Sequence, residues 1–520
     1  MSRATRPRTP GAPRIRAGVA AAVLAVFAAS LSAWISRHVF EGIPHISDAV
    51  SYAFQARVFA SGHLFLPPPP VPEAFSVGNI VLTESRWAGK YPPGFPLLLS
   101  AGYLLGSPWL VNPLLLGLAV LGVYRLGRAL YDAPTGLLAA LLLSVSPFAL
   151  LYGGTYLSHP STLCVTIWTL DAIVRGRTSD RAVPLLLAGF LAGFAATIRP
   201  VTAAAVLVPA GVWLLWRTAP RAALRRAALL LAGAALPLAL FAAFNAAVWG
   251  SPLLTGYAVH DPTEHLTGTS FHEYRSPVAL LVEHLPRYLA DLNRDPWAEP
   301  WPDLLPLLFL LPRGNRRTGD GLLVACALAN VLAYSAYWSY DLLHSGPRYA
   351  FESLGPLALL VARGLLAGGA LLRERLDRLR APAALGAALL LAFAGLSLYF
   401  PLGRRLPELM ELNSRAYGGQ TLEALRRPGA EDVGPDALVL VSGPWVEVGY
   451  GAFFLLNDVD PATGRRVYAL DLRLRRDELS AAFPRDQVWK LHVELLPWHR
   501  EGRFARNVFE VRKVVWTRVR

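Results

Sequence analysis

Asp48 stands just beyond the first long apolar run, in Pro44-His45-Ile46-Ser47-Asp48, and opens the stretch AVSYAFQARVFASG. A carboxylate this close to lipid is costly and needs a reason. Helix capping is one, since Ser47 or Asp48 could satisfy the free N–H groups of a helix start. Lys90, in Gly89-Lys90-Tyr91-Pro92-Pro93-Gly94, is conspicuous because Lys490 and Lys513 are the only other lysines. Arg348 lies in Gly346-Pro347-Arg348-Tyr349, and Arg199 in a turn between two apolar runs. For an interfacial cation without an acidic partner in sequence, the competing reading is headgroup anchoring. His159, ahead of Pro160, reads as a turn residue capping the next apolar run. His260, Asp261, Glu264 and His265 could together coordinate a cation. Their spacing matches no defined metal site, so a solvated loop is the better reading and a divalent metal stays open as a cofactor. Asp458-Val459-Asp460 is followed by Pro461-Ala462-Thr463-Gly464, which reads as a turn.

These residues are set among elements that point to a membrane. The chain has 520 residues, 54% hydrophobic and 17% charged, whereas a soluble domain carries about a quarter charged residues. The expected fold class is an all-α polytopic membrane protein with a small C-terminal α/β domain. The net charge of +14 does not imply nucleic acid, because the arginines lie in short clusters between apolar runs. Cys164 and Cys326 both fall inside apolar runs, so no disulfide framework is implied.

A basic leader over residues 1–16 precedes the apolar run 17–35. That run is long for a signal peptide and is read as an uncleaved first span. Ten further runs lie near 108–126, 134–152, 160–174, 184–198, 200–216, 227–248, 297–312, 321–338, 348–369 and 381–400, which predicts about eleven spans. The Arg clusters after alternate spans then share the side of the basic N-terminus, as the positive-inside rule demands. The opposite side receives residues 36–96, the turn at 156–160, the loop 249–296 and the turn at 340–349. The stretch after Asp48 predicts a short amphipathic helix on the membrane face, and 97–106 a second interfacial helix. Residues 401–520 read as a soluble α/β domain on the outside, with strands in DALVLVS, RVYALDL and QVWKLHVE.

Ser47-Asp48 with Tyr52, Lys90-Tyr91-Pro92-Pro93 and Gly346-Pro347-Arg348-Tyr349, set in this layout, resemble the GT-C glycosyltransferases. The similarity is to the branch holding protein O-mannosyltransferases and lipid A aminoarabinose transferases, and by layout it covers residues 17–400. It implies a multi-pass cell-membrane enzyme with a cytoplasmic N-terminus and a catalytic first outer loop, 36–96. It also implies a polyprenyl-phosphate sugar donor and an extracytoplasmic acceptor, whether glycan, lipid or protein. Asp48 would be the general base of an inverting displacement. Lys90, Arg348 and, more weakly, Arg199 would hold the phosphate, and Tyr52, Tyr91, His159 and Tyr349 would contact substrate. Many relatives carry Asp-Glu where this chain has Asp48-Ala49, which leaves acceptor class and metal dependence open. The rival readings are a lipid or glycan transporter and a scaffold without activity. Against the first, the ionisable residues gather at one surface rather than at the bilayer midplane.

Overall fold

The computed structural model describes residues 12–264, 274–340, 346–380, 382–417, 424–426, 428–443, 446–495, 499–501, 505–508 and 511–520. Among them, six helices are long and apolar enough to cross a membrane. They overlap α1 (Ala12–His38), α4 (Val111–Leu130), α10 (Pro220–Trp249), α13 (Thr318–Ser335), α14 (Leu354–Arg378) and α15 (Ala383–Leu398). A bent pair, α5 (Ala133–Val145) and α6 (Pro147–Gly153), makes a candidate seventh span. The bend of 63° falls at Ser146-Pro147, where proline stops one helix and suits the first turn of the next. The Ser146 hydroxyl accepts the Ala149 N–H at 3.2 Å.

The remaining expected runs take other forms. Helix α7 (His159–Ser179) carries Asp171, Arg175 and Arg177, while α8 (Ala182–Ile198) and α9 (Pro200–Leu215) are apolar but short. The run at 297–312 is not an α-helix. It holds a 3-10 turn at Leu305–Leu310, because Pro300, Pro302 and Pro306 deny it a continuous backbone ladder. Helix α3 (Gly94–Leu104) is the short apolar helix expected before Pro108, and α12 (Pro277–Leu292) lies within the stretch 249–296 expected to be an outer loop.

In the first connecting segment, α2 (Ser47–Ala60) is followed by a two-stranded hairpin, β1 (Ile80–Leu82) with β2 (Trp87–Gly89), in the register Ile80 opposite Gly89. The predicted C-terminal strands are present as β3 (Ala437–Ser442), β4 (Arg466–Leu470) and β5 (Gln487–Leu495). Strands β6 (His499–Glu501) and β7 (Ala505–Val508) form a small hairpin, and β8 (Val511–Arg518) joins the sheet edge. The sheet order is β4-β3-β5-β8, with β3 parallel to β4 and β5, and β8 antiparallel to β5.

The core is built in two main parts, and α2 belongs to both. Ala49, Tyr52, Ala53 and Ala56 pack into the helical core, and Val50, Phe54 and Val58 pack with the C-terminal sheet. The amphipathic surface helix predicted for this stretch is therefore a buried one, covered on one side by the helical core and on the other by the C-terminal sheet.

Candidate active site

The first turn of α2 places Asp48 and Tyr52 four residues apart on one face. Capping is not what Asp48 does. The N-cap residue is Ile46, with no side-chain cap bond, and the Asp48 oxygens are taken by distant partners. The Tyr91 hydroxyl donates to Oδ1 at 2.5 Å, the Asn79 amide donates to the same oxygen at 2.8 Å, and Arg348 pairs with Oδ2. Arg348 lies 300 positions away in the chain.

Asn79 links the pieces. It adopts a left-handed backbone, φ 63°, a conformation that asparagine tolerates better than most residues. From there its carbonyl accepts the Lys90 N–H at 3.0 Å, its amide nitrogen reaches Asp48 and Ser47, and its amide oxygen accepts from Lys90 Nζ at 3.4 Å. Lys90 is buried, and Nζ pairs with Glu264 at 2.7 Å while lying 5.2 Å from the Tyr257 ring centre. Gly256 opens the short helix that carries Tyr257. A Cβ there would collide with the Lys90 carbonyl, so only glycine lets this turn close over the lysine.

Two tyrosines line the same place. Tyr52 stacks on Tyr91 with centroids 4.5 Å apart, and its hydroxyl meets the Ser158 hydroxyl at 3.0 Å. Burial pushes the Tyr52 pKa up to about 12. Burial and then the Asp48 charge push Tyr91 well above the ordinary phenol value. For Asp48, burial works to raise the pKa, but Arg348, Tyr91 and Lys90 outweigh it and hold the carboxyl below the usual carboxylate range.

Behind Arg348 lies a fully buried polar group. His159 opens α7 with 0% exposure, so it is neither a turn residue nor a cap. Its Nδ1 is 3.1 Å from Glu352, and its Nε2 is 3.3 Å from Arg348 Nε. Arg199 is not a headgroup anchor. It donates to the Tyr334 hydroxyl at 3.0 Å, pairs with Glu352 at 3.4 Å and lies 3.4 Å from His159 Nε2. Tyr349 stacks on Tyr334 with centroids 5.0 Å apart, and the Arg348 guanidinium lies 5.3 Å from its ring centre. The structure thus brings together Asp48, Tyr52, Lys90, Tyr91, His159, Arg199, Arg348 and Tyr349. Asn79 and Glu352 were missed from sequence. For Glu352 a signal existed, a carboxylate at the start of an apolar run.

The metal candidates fare differently. Asp261 Oδ1 accepts from the Thr263 N–H at 2.9 Å and from its hydroxyl at 2.6 Å. Burial, then the Lys90 charge, lowers the His260 pKa, and His265 lies outside the described residues. Among the described residues, no three His, Cys, Asp or Glu side chains gather as a metal site would require. Asp460 accepts the Ala462 N–H at 2.9 Å, as a turn residue does.

Residues 90–280 match the family model of dolichyl-phosphate-mannose-protein mannosyltransferases. No curated protein sequence matches the chain. Among solved structures, ArnT from Cupriavidus metallidurans in the apo state is 15% identical with a TM-score of 0.53, over 92% of this chain and 95% of ArnT. ArnT bound to undecaprenyl phosphate gives 14% and 0.53, over 94% and 97%. The apo oligosaccharyltransferase of Archaeoglobus fulgidus is 14% identical with a TM-score of 0.45, over 85% of this chain. This chain spans 64% of that enzyme's length. The ArnT matches run over nearly all of both chains, so the two share an overall fold.

Proposed function

From the GT-C membrane fold that this chain carries, we propose that it moves a sugar from a polyprenyl-phosphate donor to an extracytoplasmic acceptor, with inversion at the anomeric carbon. The observation that carries this reading is the meeting of Asp48, Tyr91, Lys90 and Arg348 in one cluster. A base and two cations side by side are what such a displacement needs. The acceptor gives its proton to Asp48 as its heteroatom forms the new bond to the anomeric carbon. The bond from that carbon to the phosphate oxygen breaks, and its electron pair stays on the phosphate. Lys90 and Arg348 meet that growing charge.

Both cations are engaged by carboxylates, Lys90 by Glu264 and Arg348 by Asp48. A donor phosphate would compete for both. As it draws Arg348 away, the burial of Asp48 counts for more, and the carboxylate becomes a stronger base where the acceptor arrives. Arg199 and His159 are assigned support of Arg348 rather than direct contact with the phosphate, because Glu352 and Tyr334 hold them. The donor class is supported by the matched family and by the undecaprenyl phosphate bound to ArnT.

The test compares cells carrying the wild-type chain, Asp48→Asn or no copy, by mass spectrometry of envelope glycans and glycoproteins. The wild type should add a hexose or pentose that the other two lack, with the Asn variant present in the membrane at normal amount. A glycan profile in Asp48→Asn cells equal to wild type would remove Asp48 from the chemistry.

A further inference from the structure

Glu352 lies in the 3-10 turn Arg348–Ser353 with its side chain 0% exposed, at the start of a span. A carboxylate there is costly, and its surroundings show what it does. Oε1 is 3.1 Å from His159 Nδ1 and 3.4 Å from Arg199 Nε. On the other side of the imidazole, Nε2 faces Arg348 Nε at 3.3 Å and Arg199 Nη1 at 3.4 Å. A guanidinium can only donate. Nε2 must then accept, so the ring is neutral and its one proton sits on Nδ1, aimed at the carboxylate. An imidazolium would turn an N–H toward two guanidinium groups.

We propose that Glu352 is a positioning residue: by accepting from Nδ1 it fixes the His159 tautomer, and His159 Nε2 then holds the Arg348 guanidinium in the orientation that faces Asp48. Arg348 is thereby tied at two edges, Nε to His159 and Nη2 to Asp48. Bonds at two edges set the plane of the fork more closely than a bond at one edge does. The arrangement is that of a carboxylate setting the working face of a histidine, with an arginine as the group being aimed. Its consequence for turnover rests on the proposed function, since aiming matters only if Arg348 meets the donor phosphate.

Glu352→Leu and Glu352→Gln separate this role from plain charge balance. The glutamine carbonyl can still accept from Nδ1–H but carries no charge, and leucine offers neither. With fold-matched protein and a purified polyprenyl-phosphate sugar, Glu352→Leu should lower kcat by about tenfold or more with donor KM little changed. Glu352→Gln should stay within about threefold of wild type. In 15N-histidine NMR, the resonances lost in His159→Gln should report a neutral Nδ1–H ring in the wild type and in Glu352→Gln, and another tautomer or mixture in Glu352→Leu. Equal losses of kcat in the Gln and Leu variants, or a protonated or Nε2–H ring in the wild type, would overturn the proposal. The tautomer is read without turnover, so its failure is distinct from a failure of the wild type to transfer sugar, which would overturn the proposed function itself.

Discussion

At Asp48 two opposed effects decide the protonation state. Burial is the largest and acts to raise the carboxyl pKa, while the charge of Arg348, the Tyr91 hydroxyl and Lys90 act together to lower it and prevail. A carboxyl held below its ordinary value keeps the base form through neutral pH and loses it only in stronger acid. Tyr91→Phe removes the 2.5 Å donor while keeping the ring that stacks on Tyr52. One lowering effect is lost, the pKa rises, and the base form disappears at a higher pH. The acid limb of kcat/KM should therefore move to higher pH. An acid limb in the same place as wild type would mean that Tyr91 does not act on the Asp48 charge. Much of this cluster was legible in the sequence, because Asp48, Lys90 and Arg348 are charges at the edges of apolar runs. Asn79 was not legible, since its part depends on a left-handed backbone and on a hairpin register that neighbouring residues do not reveal. The capping expectation for Asp48 failed for a related reason. Local preference favours a cap, but partners 43 and 300 positions away claim both oxygens.

Helix α2 shows how an element can be found in sequence and its surroundings misjudged. The spacing of Ala49, Val50, Ala53, Phe54, Ala56 and Val58 marks a helix, with Ser51, Gln55 and Arg57 between them as its polar positions. Ser51 and Gln55 are nevertheless buried. Gln55 accepts the Gly89 N–H at 2.8 Å and donates to the Leu64 carbonyl at 2.8 Å, and the Ser51 hydroxyl donates to the Asn79 carbonyl at 2.5 Å. These polar residues serve the hairpin that carries Lys90. On the face away from Tyr52, Phe54 lies against Trp87 and Phe454, with centroids 4.7 and 5.5 Å away, and Arg57 donates to the Leu455 carbonyl at 2.8 Å. The C-terminal sheet region thus braces the helix that holds Asp48. Phe54→Ala removes the aromatic contact on that side without touching the site. Large-to-small changes of this kind cost about 3–5 kcal/mol. The expected outcome is a lower unfolding temperature together with faster limited proteolysis of the segment after residue 417. Proteolysis and melting equal to wild type would show that the C-terminal sheet region is held by other contacts.

For the molecule as a whole, the side-chain contacts define two ends. Asp48, Lys90, Glu264, Arg348 and Arg199 mark one. Asp320 marks the other, where it accepts from the Tyr131 hydroxyl at 2.7 Å and pairs with Arg363. The chain must therefore pass from Glu264 at the first end to Asp320 at the second, although no helix of membrane length lies between them among the described residues. Residues 293–312 make this passage in irregular form, and the backbone shows how. The prolines at 296, 300, 302, 306 and 312 offer no N–H to satisfy. The buried Asp303 carboxylate accepts from the N–H groups of Trp297 at 2.9 Å and Glu299 at 3.3 Å, and Asn293 accepts from Leu304 at 2.9 Å. Side chains replace part of the helical ladder around the buried Asp295, Trp297, Asp303 and Pro306, while Leu305, Leu308, Phe309 and Leu311 turn apolar side chains outward. Hydropathy could indicate a passage here, but not its shape. A crossing there would keep the Arg313–Arg317 cluster on the same side as the clusters that begin at Arg125, Arg175 and Arg217, and the positive-inside rule would make that side the cytoplasmic one. Reporter fusions after Arg128, Arg226, Arg317 and Arg380 should then read cytoplasmic, and a fusion after Arg405 extracytoplasmic. The fusion after Arg317 decides most. An outside signal there, with a cytoplasmic one after Arg226, would mean that residues 293–312 do not cross, and would put Glu264 and Asp320 on one side of the membrane.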